Sequence, residues 1–471
     1  MTRHHRSTLR RLPVAIAVLS SFALIAAACG DDDDAGSDTA AEEPGDTAAA
    51  ATDAPAATDA PAATDAPDAT EAPAGTEAPS DTEAPAEGEN PFGGTLAEGE
   101  YDESYLPDEE ILALGLGGAG SLPEEERARN VALATIARAS VPVDEDLALK
   151  CWEENGCDTG TGGELKVGLA DGFGGNIARQ IFKMEFILQA LTYPEVGEIG
   201  YTDANLDTQK AISDVRAFAA QGYDVILSFP DAGEALVPAY RAATEEGAQV
   251  VTWSSGKVGE PGVDYLAYSG SDLCALGNAW GEKFNELLPD GGKIAMLLGA
   301  PGNPIDPVQE ECTLETMNDN IELVAKAGSA WSRQAYLEAT SGILAEHDDI
   351  DGWIGPYGDA FVGTMRAYEA ANLPMDGLAT MHQSDDNPFL CAWKDAGGVM
   401  NSFTYVSLLL EGRAGVTAAM MKIAGYDVPP EIIFGVELKE VNDESCRTDI
   451  PPDGAPSSLV PPELQSRMFP E

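Results

Sequence analysis

From Glu164 onward, apolar and polar positions follow two alternating rhythms. Short runs that are apolar almost throughout predict strands: LKVGLA (Leu165–Ala170), VILSF (Val225–Phe229), QVVTW (Gln249–Trp253), IAMLLG (Ile294–Gly299), WIGPY (Trp353–Tyr357) and LATMH (Leu378–His382). Strands buried on both faces read this way, because neither side of the pleat meets water. Between them, apolar residues recur at helical spacing over Ile177–Leu191, Thr208–Gln221, Gly233–Glu246, Leu273–Leu288 and Asp359–Ala371. Alternating strand and helix predicts α/β architecture with doubly wound parallel sheets. Such sheets bind ligands at the carboxyl ends of their strands, so the residues just after each strand are the place to look for function.

The pattern before Glu164 is different. In residues 1–28, a head with Arg3, Arg6, Arg10 and Arg11 precedes the apolar stretch Leu12 to Ala28, which predicts an export signal. Ala26-Ala27-Ala28 before Cys29 resembles a bacterial lipobox. The resemblance implies acylation of Cys29 and a membrane anchor of the kind that lipid chains provide. Residues 29–100 form an acidic Ala/Thr/Pro-rich tether, expected to be disordered. Thr-Asp/Glu-Ala-Pro recurs there six times, from Thr52, Thr58, Thr64, Thr70, Thr76 and Thr82. Units of that composition bury no core, and proline with like charges favours extended chain. Residues 101–163 read as a small helical extension covering the main domain. Ser121-Leu-Pro-Glu124 has the form of a capping box, and helical spacing follows it.

Charge and cysteine usage narrow the setting. The chain of 471 residues carries a formal charge of −55. Four arginines in the head and twenty acidic residues in the tether leave about −39 on residues 101–471. That field excludes nucleic acid as a partner. Without Cys29, six cysteines remain: Cys151, Cys157, Cys274, Cys312, Cys391 and Cys446. In an exported chain an even number reads as disulfides; six allow fifteen pairings, and proximity favours Cys151 with Cys157. No Cys-x-x-Cys pair is present, and His347 and His382 are the only histidines beyond the head, so no metal site is expected.

The strand ends carry a family resemblance. DGFGGNIARQ after the first strand, the segment TDANLDTQKAISDVRAFAAQGYDVILSFPDAGEALVPAYRAATEEGAQVVTW, the turn GAPGN (Gly299 to Asn303) and YGDAFVG (Tyr357 to Gly363) together resemble periplasmic sugar-binding proteins of the ribose-binding type. These are the substrate-binding subunits of ABC importers. The resemblance spans Glu164 to about Asn442. It implies the periplasmic binding protein-like I fold, with two lobes, three hinge crossovers near Tyr268, Thr404 and Leu438, and a ligand between the lobes. The first lobe would be 164–268 with 405–437, the second 269–404 with 438–448, and 449–471 would be a tail. On that map Cys274–Cys312 and Cys391–Cys446 become reasonable pairs, all within the second lobe. Gene regulators share the fold, but they begin with a DNA-binding element where this chain has an export signal.

A sugar offers flat C–H faces and a ring of hydroxyls, so its site needs aromatic plates and hydrogen-bonding side chains. Phe173 and Asn176 match the family's first loop, and Arg179 lies one turn further on. Asp231 follows the third strand, with a helix N-cap as its alternative role. Trp253 and Ser254 follow the fourth. Asn303 closes GAPGN, Tyr357 and Asp359 follow a later strand, and His382 and Gln383 follow LATM. Departures are also visible. Ser254-Ser255 replaces the family's Asp-Arg pair, no Arg stands near Val308 or Gln309, and Tyr357 and His382 replace Asn and Asp. They point away from ribose and toward another monosaccharide, a disaccharide or a polyol. No nucleophile elbow, His-Glu-x-x-His or phosphate loop is present, so neither enzymatic activity nor a cofactor is expected. The implied partners are an ABC permease and ATPase. The rival readings are a sensor feeding a membrane receptor, and a binding protein for a nucleoside or an amino acid.

Overall fold

Val167, Leu169, Val225, Leu227, Val250 and Val251 are all buried, and they belong to strands with helices on both faces. A computed structural model describes residues 131–470 apart from 133, 137, 255, 406 and 407. The signal, Cys29, the tether and the capping box at Ser121 lie outside the described residues. Strands are numbered β1–β13 along the described chain. The first sheet contains β1 (Gly156–Asp158), β2 (Leu165–Asp171), β3 (Val196–Asp203), β4 (Val225–Ser228), β5 (Gln249–Trp253), β6 (Ala267–Ser271) and β12 (Glu431–Phe434), in the order β1-β3-β2-β4-β5-β6-β12. The second contains β7 (Gly292–Leu298), β8 (Ile321–Gly328), β9 (Gly352–Ile354), β10 (Ala379–His382), β11 (Asn401–Tyr405) and β13 (Leu438–Glu440), in the order β13-β11-β10-β9-β7-β8. Pairing is parallel except at two edges, where β1 runs antiparallel to β3 and β13 antiparallel to β11.

The chain crosses between the sheets three times, at 271–273, 405–408 and 434–438. The first crossing lies later than the sequence suggests. Ser269, Gly270 and Ser271 pair with Ile432, Ile433 and Phe434, so they belong to the first lobe. Small polar residues at the end of β6 carry no apolar signal, which hid its extent. Disulfides join Cys151 to Cys157, Cys274 to Cys312 and Cys391 to Cys446. Cys274–Cys312 ties the helix Leu273–Leu287 to the helix Ile305–Thr316. No helix among the described residues is long and apolar enough to cross a membrane.

The extension packs on the first lobe. Asp144 caps the helix Glu145–Glu153 through Asp146 N and Leu147 N. Trp152 Nε1 then donates to Gln180 O at 3.1 Å, and β1 closes the sheet edge beside β3. The end of the chain is not a free tail. Asn387 donates to Pro451 O, Arg333 pairs with Asp453, and Ser457 Oγ donates to Asp385 Oδ1 at 2.6 Å, all on the second lobe. The next residue belongs to the first lobe's contacts: Ser458 Oγ and Leu459 N donate to Glu185 Oε1 at 2.6 and 2.7 Å. The helix Pro462–Met468 buries Leu464 and Met468, and Arg467 pairs with Asp146. Prolines and scattered apolar positions gave this strap no periodic signature.

Glu185 also receives Arg413 Nε from the helix Leu408–Ile423, with both side chains 1 % exposed. Removing one partner of a buried pair strands the other charge. Glu185→Ala is expected to cost about 3–5 kcal/mol in urea unfolding. A loss under 1 kcal/mol would show that the pair is dispensable.

Candidate functional site

The carboxyl ends of both sheets face one another, and the lobes touch there. Phe173, after β2, meets Trp331, after β8, with ring centroids 6.3 Å apart and planes 32° apart. Ala178 N, at the start of the helix Ile177–Leu191, donates to Tyr357 Oη at 3.3 Å. A Cβ at Gly233 would lie 3.1 Å from Gly302 O, and one at Gly256 would lie 3.3 Å from Pro304 O. These contacts span the cleft, so the two lobes are closed on each other.

The first lobe's wall is organised by Arg179. Asn176 caps its helix, accepting Arg179 N at 2.9 Å, which starts the helix at the cleft edge. Arg179 Nη1 donates to Asp171 Oδ1, and Nη2 donates to both oxygens of Asp231 at 2.8 and 2.9 Å. The guanidinium carbon lies 3.1 Å from the Phe229 ring centroid. Burial pushes the Asp231 carboxyl up to about 7; Arg179 opposes that shift and the Asp171 charge adds to it. Asp231 is therefore an ion-pair partner here and not a helix cap. Asp171 Oδ1 also accepts Phe173 N at 3.1 Å, which fixes the loop bearing the aromatic ring. Only glycine fits at Gly172, because a Cβ would lie 2.3 Å from Asp231 Oδ2.

Trp253 does not reach the cleft. It is fully buried, edge-on to Phe182 and Phe229 at 4.8 and 5.1 Å. It supports the ring on which Arg179 rests. Ser254 has φ +61° and is buried, with its N–H on Ser269 O at 3.0 Å. Its side chain bonds Glu411, whose carboxyl burial raises to about 8.

In the second lobe, Ala330 and Trp331 adopt consecutive left-handed conformations, φ +43° and +51°. Such backbone is sparsely populated for non-glycine residues and is held in place by its surroundings. Here it lays Trp331 over Gly299, where any Cβ would lie 2.1 Å from the indole. Tyr357 is buried, with its N–H donated to Tyr336 Oη. Asp359 accepts Arg333 Nε at 2.7 Å, and Asp359 N donates to Asp386 Oδ2 at 3.0 Å. Asn303 spends its amide on Ala300 O, Asp306 Oδ2, Ile305 N and Asp306 N, so it is a turn and cap residue. Gln383 Oε1 accepts Gln309 Nε2 at 2.9 Å.

His382 departs furthest from its expected place. It is fully buried between Phe361 and Phe389, with Nδ1 2.8 Å from Gly355 O and Nε2 3.0 Å from Thr380 Oγ1. The apolar surroundings push its pKa down to about 4. It is a core residue because side chains alternate along β10, and its own points under the sheet. Trp331, Asp171, Asp306, Gln309 and Arg333 are not among the candidate site residues that the sequence suggests. β8 buries only Ile321 fully, and its other residues are half-buried or exposed, Glu322 and Lys326 among them, so it lacks the apolar run that marks the other strands and leads to Trp331. Among the described residues no three His, Cys, Asp or Glu side chains are grouped to hold a metal ion.

Two doubly wound lobes, three crossings and a cleft at the strand ends define the type I periplasmic binding protein fold. The profile of the periplasmic binding protein domain family matches residues 179–427, more than half of the chain, and the chain belongs to that family. A ribose import binding protein from Haemophilus influenzae is 25% identical over 180 residues, which cover 37% of this chain and 61% of that protein. An ABC transporter solute binding protein from Mycobacterium smegmatis, solved with bound glycerol, is 23% identical, with TM-score 0.54 over 60% of this chain and 96% of its own. A Caulobacter myo-inositol binding protein is 20% identical, with TM-score 0.53 over 59% and 94%. A D-allose-bound ABC transporter periplasmic solute binding protein from Actinobacillus succinogenes is 18% identical, with TM-score 0.52 over 60% and 99%. At these identities the structures share the fold.

Burial also lifts the Asp385 and Asp386 carboxyls, to about 8 and 7. With Glu411, which has no ion-pair partner among the described residues either, three acids hold protons in the folded state that the unfolded chain loses near pH 4. Their contribution is present at low pH and is lost as pH rises through 7 to 8. His382 acts oppositely, losing stability as pH falls from 6.5 toward 4. Three groups outweigh one, so the thermal midpoint should be higher at pH 6 than at pH 8 at fixed ionic strength. A lower midpoint at pH 6 would mean these acids fold ionised.

Proposed function

We propose that this chain is an extracytoplasmic solute-binding protein of an ABC importer that closes its lobes on a sugar or a sugar-like cyclic polyol. The observation that carries this reading is the Phe173–Trp331 pair, one aromatic face from each lobe at the strand ends. Flat C–H faces pack on such rings. Hinge opening would part the two rings, and a ligand entering between them would restore the contact through itself. Asp171, Asp231, Tyr357 and Gln383, at or just after the strand ends of the two lobes, would order the hydroxyls. Ser254 and Asp359 belong to the supporting shell, and so do Asn176 and Arg179. The named ligands of the fold relatives, glycerol, myo-inositol and D-allose among them, support a polyhydroxylated solute. The family relationship supports work outside the cytoplasm. Arg-rich head, apolar stretch and Cys29 support a lipid anchor on the outer face of the membrane, with the acidic tether as spacer. A permease and an ATPase would be the protein partners.

The sensor reading has one observation in its favour. A fructose binding periplasmic domain of a hybrid two component system has the same fold, at 18% identity and TM-score 0.53. Deleting the chain's gene separates the two: an importer subunit loses uptake of its ligand, whereas a sensor keeps uptake and loses the transcriptional response.

Thermal unfolding of the purified chain against sugars, cyclitols, nucleosides and amino acids tests the ligand class. A ligand at 100 times its Kd adds about 2.7 kcal/mol to the folded state. Trp331→Ala should weaken that ligand at least tenfold beyond what its lowered ligand-free midpoint accounts for, because Trp331 is itself buried. Trp253→Ala should instead lower the ligand-free stability by about 3–5 kcal/mol, as a truncated core aromatic does. Stabilisation by nucleosides or amino acids alone would overturn the sugar assignment.

A further inference from the structure

Polar atoms on the second lobe's wall of the cleft are unbalanced between donors and acceptors. Asp306 and Gln309 stand three residues apart on the helix Ile305–Thr316 and so share one of its faces. Asp306 Oδ2 accepts Gly299 N at 2.9 Å and Asn303 Nδ2 at 2.6 Å, while its Oδ1 has no partner. Gln309 gives Nε2 to Gln383, while its Oε1 has no partner. Both residues are more than nine-tenths buried, at 8% and 0% exposure. Both are also bonded to the strand-end loops: Gly299 follows β7 and Gln383 follows β10. Two orphan acceptors therefore sit at the carboxyl edge of the second sheet, where the cleft lies.

The nearby cations are committed elsewhere. Arg179 is held by Asp171 and Asp231, and Arg333 by Asp359 and Asp453. A buried acceptor left without a donor is costly, so a ligand filling the cleft must bring donors to this wall. A hydroxyl brings one donor and two acceptor lone pairs. A primary ammonium brings three donors and no acceptor, and a carboxylate brings acceptors only. The acidic exterior adds a field that draws cations toward the cleft and repels anions.

We propose that the cleft takes a polyhydroxylated ring bearing a primary ammonium, an amino sugar or aminocyclitol, with the ammonium placed between Asp306 Oδ1 and Gln309 Oε1. The inference rests on the sugar-cleft reading above and names its substrate class. It makes the cleft selective against uronic acids and sugar phosphates, whose extra groups accept and do not donate.

Calorimetric titration of the folded chain with D-glucosamine, D-galactosamine and an inosamine, beside D-glucose, D-galactose, myo-inositol and D-glucuronate, tests it. At least one amine should bind ten or more times tighter than its neutral parent, and D-glucuronate should give no binding heat. Asp306→Asn and Gln309→Met should each bring that ratio to threefold or less. Two variants are used because Asp306 also holds the Gly299 turn, and either one that keeps its thermal midpoint is decisive. A neutral ring that binds as tightly as its amine overturns the ammonium inference and leaves the sugar reading standing. An amine preference that survives both substitutions overturns the placement at Asp306 and Gln309. Failure of every ring, amino or neutral, overturns the sugar reading beneath it.

Discussion

Glu185 and Arg413 face each other where water does not reach, and much of the first lobe is arranged to make that pair tolerable. Two charges taken out of water repay their desolvation only if their other hydrogen-bonding positions are also filled. Gln189 Oε1 accepts Arg413 Nη1 at 3.1 Å, and Ser458 and Leu459 supply the donors to Glu185 Oε1, which leaves Arg413 Nη2 as the one position of the pair without a partner among the described residues. Three segments far apart in sequence are thereby joined: the helix Ile177–Leu191, the helix that follows the second crossing, and the strap near the end of the chain. The same helix that is pinned at Glu185 begins at the cleft, and Arg179 stands on its first turn. Fixing one end of the helix in the core fixes the guanidinium that holds Asp171 and Asp231 at the other.

The strap changes how the lobes can move. Three crossings alone allow hinge rotation, as in other two-lobed binding folds. Here neighbouring residues Ser457 and Ser458 bond to opposite lobes, at Asp385 and at Glu185. A rotation that separated those two anchors would break bonds to buried carboxylates. Motion is therefore confined to axes that keep the strap junction in place while parting Phe173 from Trp331 and Ala178 from Tyr357. The disulfides do not oppose this, because each closes within one side: Cys274–Cys312 between two helices of the second lobe, and Cys151–Cys157 within the extension.

What was legible in the sequence follows from burial. Strands covered on both faces, such as β2, β4, β5 and β7, carry a nearly unbroken apolar run through their buried stretch and announce themselves. β3 and β8 are half covered, so their polar residues interrupt the run, and the loops they position were overlooked with them. That is why Trp253 attracted the aromatic role and Trp331 did not. Both tryptophans follow the same logic of a residue at a strand end, but Trp253 is still within its strand, where alternation turns it into the core. Trp331 lies three residues beyond the end of β8, where the backbone turn and not the pleat sets its direction. Pairings that depend on tertiary approach, such as Arg179 with Asp231 across 52 residues or Ser458 with Glu185 across 273, leave no trace in local spacing.

At the strand ends of the second lobe, the completeness of a polar group's partners is more telling than its residue type. Asn303 and His382 are the residue types that sugar sites use, yet each has its hydrogen-bonding atoms engaged within its own lobe, so neither has anything left to offer a solute. Asp385 and Glu411 are buried acids without an ion-pair partner among the described side-chain salt bridges, and burial answers that by holding their protons. Asp306 is different. Its burial also favours the protonated form, but one oxygen already accepts two N–H groups, an arrangement that favours the ionised form. Its other oxygen and the neighbouring Gln309 side-chain carbonyl are left without partners. Strand-end residues with unfinished hydrogen bonding are where a closing cleft gains most from what it closes on, because the ligand then completes bonds that the protein alone leaves unmade.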